Sequence, residues 1–521
     1  MLSRRAFAAG LPTLAALGIG PALAQGSDTL TVALGAESTT LDPTVAAAGV
    51  DYYMINDLFE QMLRPDPGGQ RINWLAESWT VGGAPDKPII DITLREGVLF
   101  HDNTPLTSAD FEFAYQLMGD PKHARNVHQQ ADVEAFEIVD PRRFRLHFKQ
   151  PDALYLALNF TLWAVPKKYY EQVGREGFNK APIGTGPWKF VSRSVHEELR
   201  LEAFEGYWNK AHRPRVKNLV IKVIPEDLTR VAAFKTGAVD WIDAVPPSML
   251  SDFAKLPGVS TRTVASGNNL FLNLAADLPN SPLKDVRVRR AVALAVDMDA
   301  IIKKVLFGQG ERYSELVSGE PGYDPTLTPY PYDPKQAREL LRDAGYPNGF
   351  DVICYNLTTP REPSMKEMGE AEFAYLSQVG IRCRTQQLEY GAWITTGLRN
   401  PTGPRMDGII SWMSGHGVPP DPGSAWAGQI HTYMPNAGWG GYSFSADPEL
   451  DALVEQQRRI LDPEQRAAVL NKIAHLKHER VLGGITTYRP LVTFAWRTDK
   501  VDWTPWPAGY WRTFQEVALK A

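Results

Sequence analysis

The chain has 521 residues, a formal net charge of −5 and 22% charged side chains, so several domain-sized units of ordinary soluble composition are expected. No Lys/Arg block forms the basic stripe that nucleic acid requires, which excludes a nucleic-acid surface. Beyond the first two dozen residues no stretch stays apolar for about 18 residues, so no transmembrane span is expected.

Residues 1–24 carry the three parts of an export signal: Arg4 and Arg5, an apolar run over 6–23, and Ala22-Leu23-Ala24 as cleavage pattern. Ser3-Arg4-Arg5-Ala6-Phe7 has the form of a twin-arginine signal; the other reading is a secretory signal with two chance arginines. The mature chain is expected to begin at Gln25 and to be free in the periplasm, since no Cys near the cleavage site offers a lipid anchor.

Thr29–Leu34 alternates as a strand, and 35–43 reads as a strand-to-loop passage. Helical spacing covers 50–63. Residues 88–94 alternate, and Thr107 or Ser108 is placed to cap a helix over 109–118. Strands follow at 133–139 and 143–149 around the Asp140-Pro141 turn. Gly184-Thr185-Gly186-Pro187 marks a tight entry into a strand and lacks the pattern of a phosphate loop. Strands are expected at Glu198–Ala203, 218–224 and 239–242, with a helix over 227–236 between the last two.

A new phase starts with the strand 270–274. Asp285 is placed to cap a helix that lays Val288, Ala291, Val292 and Ala295 on one face. Helices are expected at 299–307 and 334–344, each ending at a glycine. From Phe350 the order strand, helix, strand, helix, strand points to parallel pairing. The last of these strands opens the stretch 407–428, a short apolar run followed by a Gly/Pro-rich segment with Trp412, Met413, His416, Asp421 and Trp426. A strand leading into such a loop is a common way to hold ligand-contacting groups, so this stretch is expected to line a cleft. Helices at 447–459 and 463–481 and strands at 485–492, 494–497 and 501–503 complete the chain.

The only two cysteines, Cys354 and Cys383, lie in strand runs that a β-α-β unit can place side by side. An oxidising compartment permits a bridge. Two buried thiols are the expected state.

Several runs resemble the family-five extracytoplasmic solute-binding proteins of bacterial ABC transporters, the dipeptide and oligopeptide type. They are 95–102 with 105–110, Gly184-Thr185-Gly186-Pro187-Trp188-Lys189-Phe190, 233–240, 282–291, and Tyr332-Asp333-Pro334 with Ala344-Gly345-Tyr346-Pro347. Five such runs in order cover nearly the whole mature chain. The resemblance implies an α/β, two-lobed periplasmic-binding-protein fold of type II, in the large cluster with an extra subdomain. It implies a ligand cleft between lobes: 25–267 with 490–521 as the first, including the insert, and 268–489 as the second. It further implies lobe closure over a small-molecule or peptide ligand and docking on permease subunits in the inner membrane. A monomer without cofactor or metal is expected.

In peptide-binding members an aspartate a few residues after a tryptophan pairs with the peptide's amino group. The matching place is Gly415, within Trp412-Met413-Ser414-Gly415-His416, and the acid is missing. A desolvated ammonium would there lack its partner, which weakens the case for a free peptide N-terminus. Asp421 follows later and is a second candidate. Arg361 lies where some dipeptide binders hold the ligand carboxylate, with a loop arginine paired to Glu362 as the other reading. Glu37, Ser38 and Thr40 fall in the ligand-facing loop of relatives, with turn chemistry as the alternative. Tyr52, Trp163 and Trp188 are stacking walls or core; Trp412 is the leading aromatic candidate. His416 is a hydrogen-bonding or metal-chelate candidate, and His475 with His478 is read as a solvated surface pair. No G-x-S-x-G elbow, H-E-x-x-H or G-x-G-x-x-G pattern is present, so a binding protein is expected, not an enzyme, with an exported hydrolase as the distant rival. A peptide or peptide-like solute is the expected cargo. An opine, a sugar or a metal chelate is the alternative.

Overall fold

The computed structural model describes residues 28–46, 49–68, 70–120, 122–123, 132–155, 162–276, 278, 280–358, 364–389, 407–415, 421–432, 447–504, 506 and 514–520, with backbone alone at 49, 50, 358, 389, 412–415 and 428. The export signal at 1–24, Arg361 and His416 lie outside the described residues.

Two large apolar cores organise the molecule. One gathers residues from Leu30 to Val264 together with Phe494, Trp496, Trp503 and Phe514. The other runs from Leu270 to Tyr488. A third core belongs to an insert within the first lobe, where Lys87–Leu94 stands in a four-stranded antiparallel sheet with Ala76–Ala84, Arg143–Phe148 and Val133–Asp140. Pro88, Ile90, Ile92 and Leu94 alternate as its buried face. Helix Ser108–Gly119 packs on that core through Phe111 and Met118.

One mixed sheet runs through both lobes. The long strand Ile485–Arg497 pairs with Asn268–Leu274 at its start and with Val259–Ala265 and Trp241–Ile242 further on. Pairing therefore passes from one lobe to the other along this strand and across 266–267. The spacing predicts two strands broken near Thr493; the structure has one. Thr493 is buried, and its hydroxyl meets that of Thr263 at 2.8 Å, so cross-strand bonding carries the strand through.

In the second lobe Phe350–Thr358 pairs in parallel with Ile381–Glu389 and Ile409–Gly415, as the strand–helix–strand order predicts. Cys354 and Cys383 are joined in a disulfide, with Cα atoms 5.3 Å apart. This corrects the expectation of two free thiols. Val352 lies opposite Cys383, and that register brings Cys354 within bridging reach.

Local signals account for the main helices. Asp285 accepts the backbone N–H of Arg287 at 2.8 Å and opens Val286–Ala295, whose Val288, Ala291, Val292 and Ala295 are all buried. Gly184 and Gly186 are required by close approach: a Cβ would meet the Leu58 carbonyl oxygen at 2.0 Å at the first and the Asp57 carbonyl oxygen at 2.6 Å at the second. Two helices, Lys167–Lys180 and Pro422–Gln429, were not legible in the sequence. The second stands inside the Gly/Pro-rich stretch expected to be loop, and its Trp426 is 1% exposed in a core, not on a cleft wall. His478 is likewise not solvated: its ring stacks on Tyr330 at 4.1 Å and faces Glu315, while His475 pairs with Asp324.

Candidate ligand cleft between the lobes

Parallel strands present their carboxyl ends at one edge, where α/β sheets bind ligands. In the second lobe those ends are Thr358, Glu389 and Gly415. Gly415 pairs with Asn268, immediately beyond the 266–267 crossing. The backbone of Trp412, Ser414 and Gly415 thus stands in the strand next to Asn268–Leu274, with its carboxyl end level with the 266–267 crossing. In the first lobe Thr29–Leu34, in parallel with Asn218–Val223 and Trp241–Ile242, ends at the loop carrying Glu37, Ser38 and Thr40.

That loop is held by its own side chains. Glu37 receives Arg193 Nη2 at 2.7 Å and the backbone N–H of His196 at 2.9 Å. Ser38 is buried; its hydroxyl bonds the Thr40 carbonyl and donates to Asp51 at 3.2 Å. Thr40 Oγ1 meets Asn179 Oδ1 at 3.0 Å. Only the Ser38 bonds are local to the turn; Glu37 and Thr40 are tied to residues far along the chain. Tyr52 lies near-parallel to Trp163 at 6.2 Å, and burial pushes its phenol up to about 12. Trp163 and Trp188 are buried in the first-lobe core.

Asp421 is committed elsewhere. Its carboxylate caps Pro422–Gln429 through the N–H of Gly423 and pairs in a fork with Arg466, both contacts at 2.7 Å. A buried carboxylate with this much compensation has little left for a ligand ammonium.

Behind the cleft strand lies a group the sequence reading missed. Glu372, on helix Met365–Gln378, is fully buried, and desolvation pushes its carboxyl up to about 8, opposed by Ser411. It is therefore neutral at ordinary pH.

Charges also meet across the lobes. Arg458, at the end of helix Pro448–Arg459, bonds Asp152 at 2.8 and 3.2 Å and lies 3.1 Å from Asp132. Arg459 bonds Asp132 at 2.8 Å and the Pro151 carbonyl at 2.9 Å. Arg71, on strand Arg71–Asn73 of the insert, faces the charge of Asp421; burial lowers its guanidinium to about 10, and its Nε finds no hydrogen-bond partner among the described residues. Nothing in the local sequence around 132, 152 or 458 signals that these groups meet; the pairings span about 300 residues of chain.

A mixed sheet shared by two lobes, with parallel strands ending near their junction, is a frame suited to holding a small solute. The chain belongs to the bacterial extracellular solute-binding proteins, family 5, whose middle region matches residues 70–431, and such proteins serve ABC importers as solute binders. It is 27% identical to the glutathione-binding protein GsiB of Salmonella typhi over 73% of this chain and 74% of the relative. The periplasmic binding protein DppA of Helicobacter pylori, solved with the peptide STSA, superposes with a TM-score of 0.78 at 22% identity, covering 95% of this chain and 98% of that one. The binding protein AgaA of Agrobacterium (A. tumefaciens R10), solved with agropinic acid, superposes with a TM-score of 0.78 at 23% identity, covering 95% and 99%.

Proposed function

We propose that this protein is exported by the twin-arginine route and works as a monomer in the periplasm. There it captures a small polar, peptide-like solute between its lobes and delivers it to permease subunits. The observation that carries this reading is the position of Gly415 at the lobe junction, at the carboxyl end of a strand that lies within the family match. Trp412 supplies the stacking surface. Ser414, Gly415 and His416 supply polar contacts, Arg361 takes an anionic group, and Tyr52 closes the first-lobe side. The cleft performs no chemistry on the solute.

Glutathione and opines, which relatives bind by name, are suitable first probes together with dipeptides. The missing acid at position 415 favours ligands whose amino group is not the recognised feature. Thermal melting in the presence of each probe tests the proposal. A ligand at a hundred times its Kd should stabilise by about 2.7 kcal/mol and be recovered unchanged. Turnover of the stabilising compound would overturn the reading.

A further inference from the structure

We infer that Asp132, Asp152, Arg458 and Arg459 form a clasp that biases the lobes toward closure independently of solute. The inference rests on the lobe-closure reading and names a regulator of the same cleft.

The two acids are set in advance on the insert. Asp152 accepts the backbone N–H groups of Leu154 at 3.0 Å and Tyr155 at 3.1 Å, and Asp132 accepts Gln150 Nε2 at 2.8 Å. Neither needs the second lobe to hold its orientation. The two arginines sit side by side at the C-terminal end of a second-lobe helix. Among the described residues neither has an acid partner on its own lobe, and both turn across the seam. The side chain of Asp152 is 0% exposed and that of Arg458 is 11% exposed, so water is excluded from the central pair. Asp132 bridges both arginines and makes the contact a network.

Closure driven by solute alone would need all its free energy from ligand contacts. A preset ion-pair network adds a bias that is present without ligand. Desolvation offsets much of the Coulomb gain, so the clasp is weak enough to release. Truncating one member of such a pair costs at least about tenfold in an association equilibrium. Apparent affinity scales with the binding-competent fraction, so up to the same factor passes to the solute. Released charges are better solvated and screened in salt, which favours the open form as ionic strength rises.

Small-angle X-ray scattering of the ligand-stripped full chain tests the clasp without any solute. Wild type should be compact at low salt and expand as sodium chloride is added. Arg458→Ala and Asp152→Asn should be expanded at every salt concentration, with a closed-to-open ratio lower by about tenfold. Arg459→Gln alters a side chain that is 37% exposed and gives the same reading should Arg458→Ala fail to fold by circular dichroism. Folded variants that scatter like wild type at all salt concentrations overturn the clasp. Failure of every solute to bind would instead strike the transport reading and leave the scattering result standing.

Discussion

Glu372 shows how a single buried group ties folding to pH. Its carboxyl is raised to about 8, against an ordinary value of 4.5. The native state therefore holds a proton through that window which the unfolded chain gives up. The contribution of Glu372 to stability is full below about pH 4.5 and is lost as the pH rises through about 8. Glu372→Gln keeps the neutral shape, so its melting temperature should change less across the window than that of wild type. Equal slopes would show that the group is ionised in the fold. Asp421 makes the opposite case. Asp421→Ala leaves Arg466 buried and unpaired, so the protein should lose about 3 kcal/mol in chemical denaturation. Solute affinity per folded molecule should stay close to wild type; a large selective loss of binding would return Asp421 to the ligand.

Elements carry two further expectations. The bridge between Phe350–Thr358 and Ile381–Glu389 closes a loop with sequence separation 29. Cys354→Ser with Cys383→Ser should cost about 3 kcal/mol, and wild type under reducing conditions should match the double variant. Asp285→Ala removes the cap of Val286–Ala295 and should cost about 1 kcal/mol, visible as a shift of the denaturation midpoint without change in slope. That cap was legible because side-chain capping is local: an aspartate before a run of period 3.6 has few other uses. The parallel pairing after Phe350 was legible for the same reason, since a helix between two strands leaves a crossover as the short connection. The helix Pro422–Gln429 was not, although Asp421-Pro422 is a start signal. The surrounding glycines and prolines masked it, and the burial of Trp426 that stabilises it comes from distant residues such as Leu450 and Ile473.

At the scale of the molecule, two lobes share one sheet yet keep separate cores. Once a solute is found, Trp412→Ala should weaken it by at least about tenfold in calorimetry while melting near wild type without ligand. An unchanged affinity would remove Trp412 from the cleft wall.

The sequence by itself determined the lobed α/β class, most of the strands and helices, and the strand at 409–415, because periodicity, caps and family-like runs are written in neighbouring residues. Its candidate site residues were named from the strand end and the family-like runs, and side-chain contacts bear on only some of them. Glu37, Ser38, Thr40 and Asp421 proved to be bonded within the protein, since a polar side chain in a loop looks alike whether it meets solvent, ligand or another loop. Tertiary structure alone decided the disulfide, the neutral Glu372 and the meeting of Asp152 with Arg458. Each depends on register, burial or distance between segments far apart in the chain, and those are set by packing.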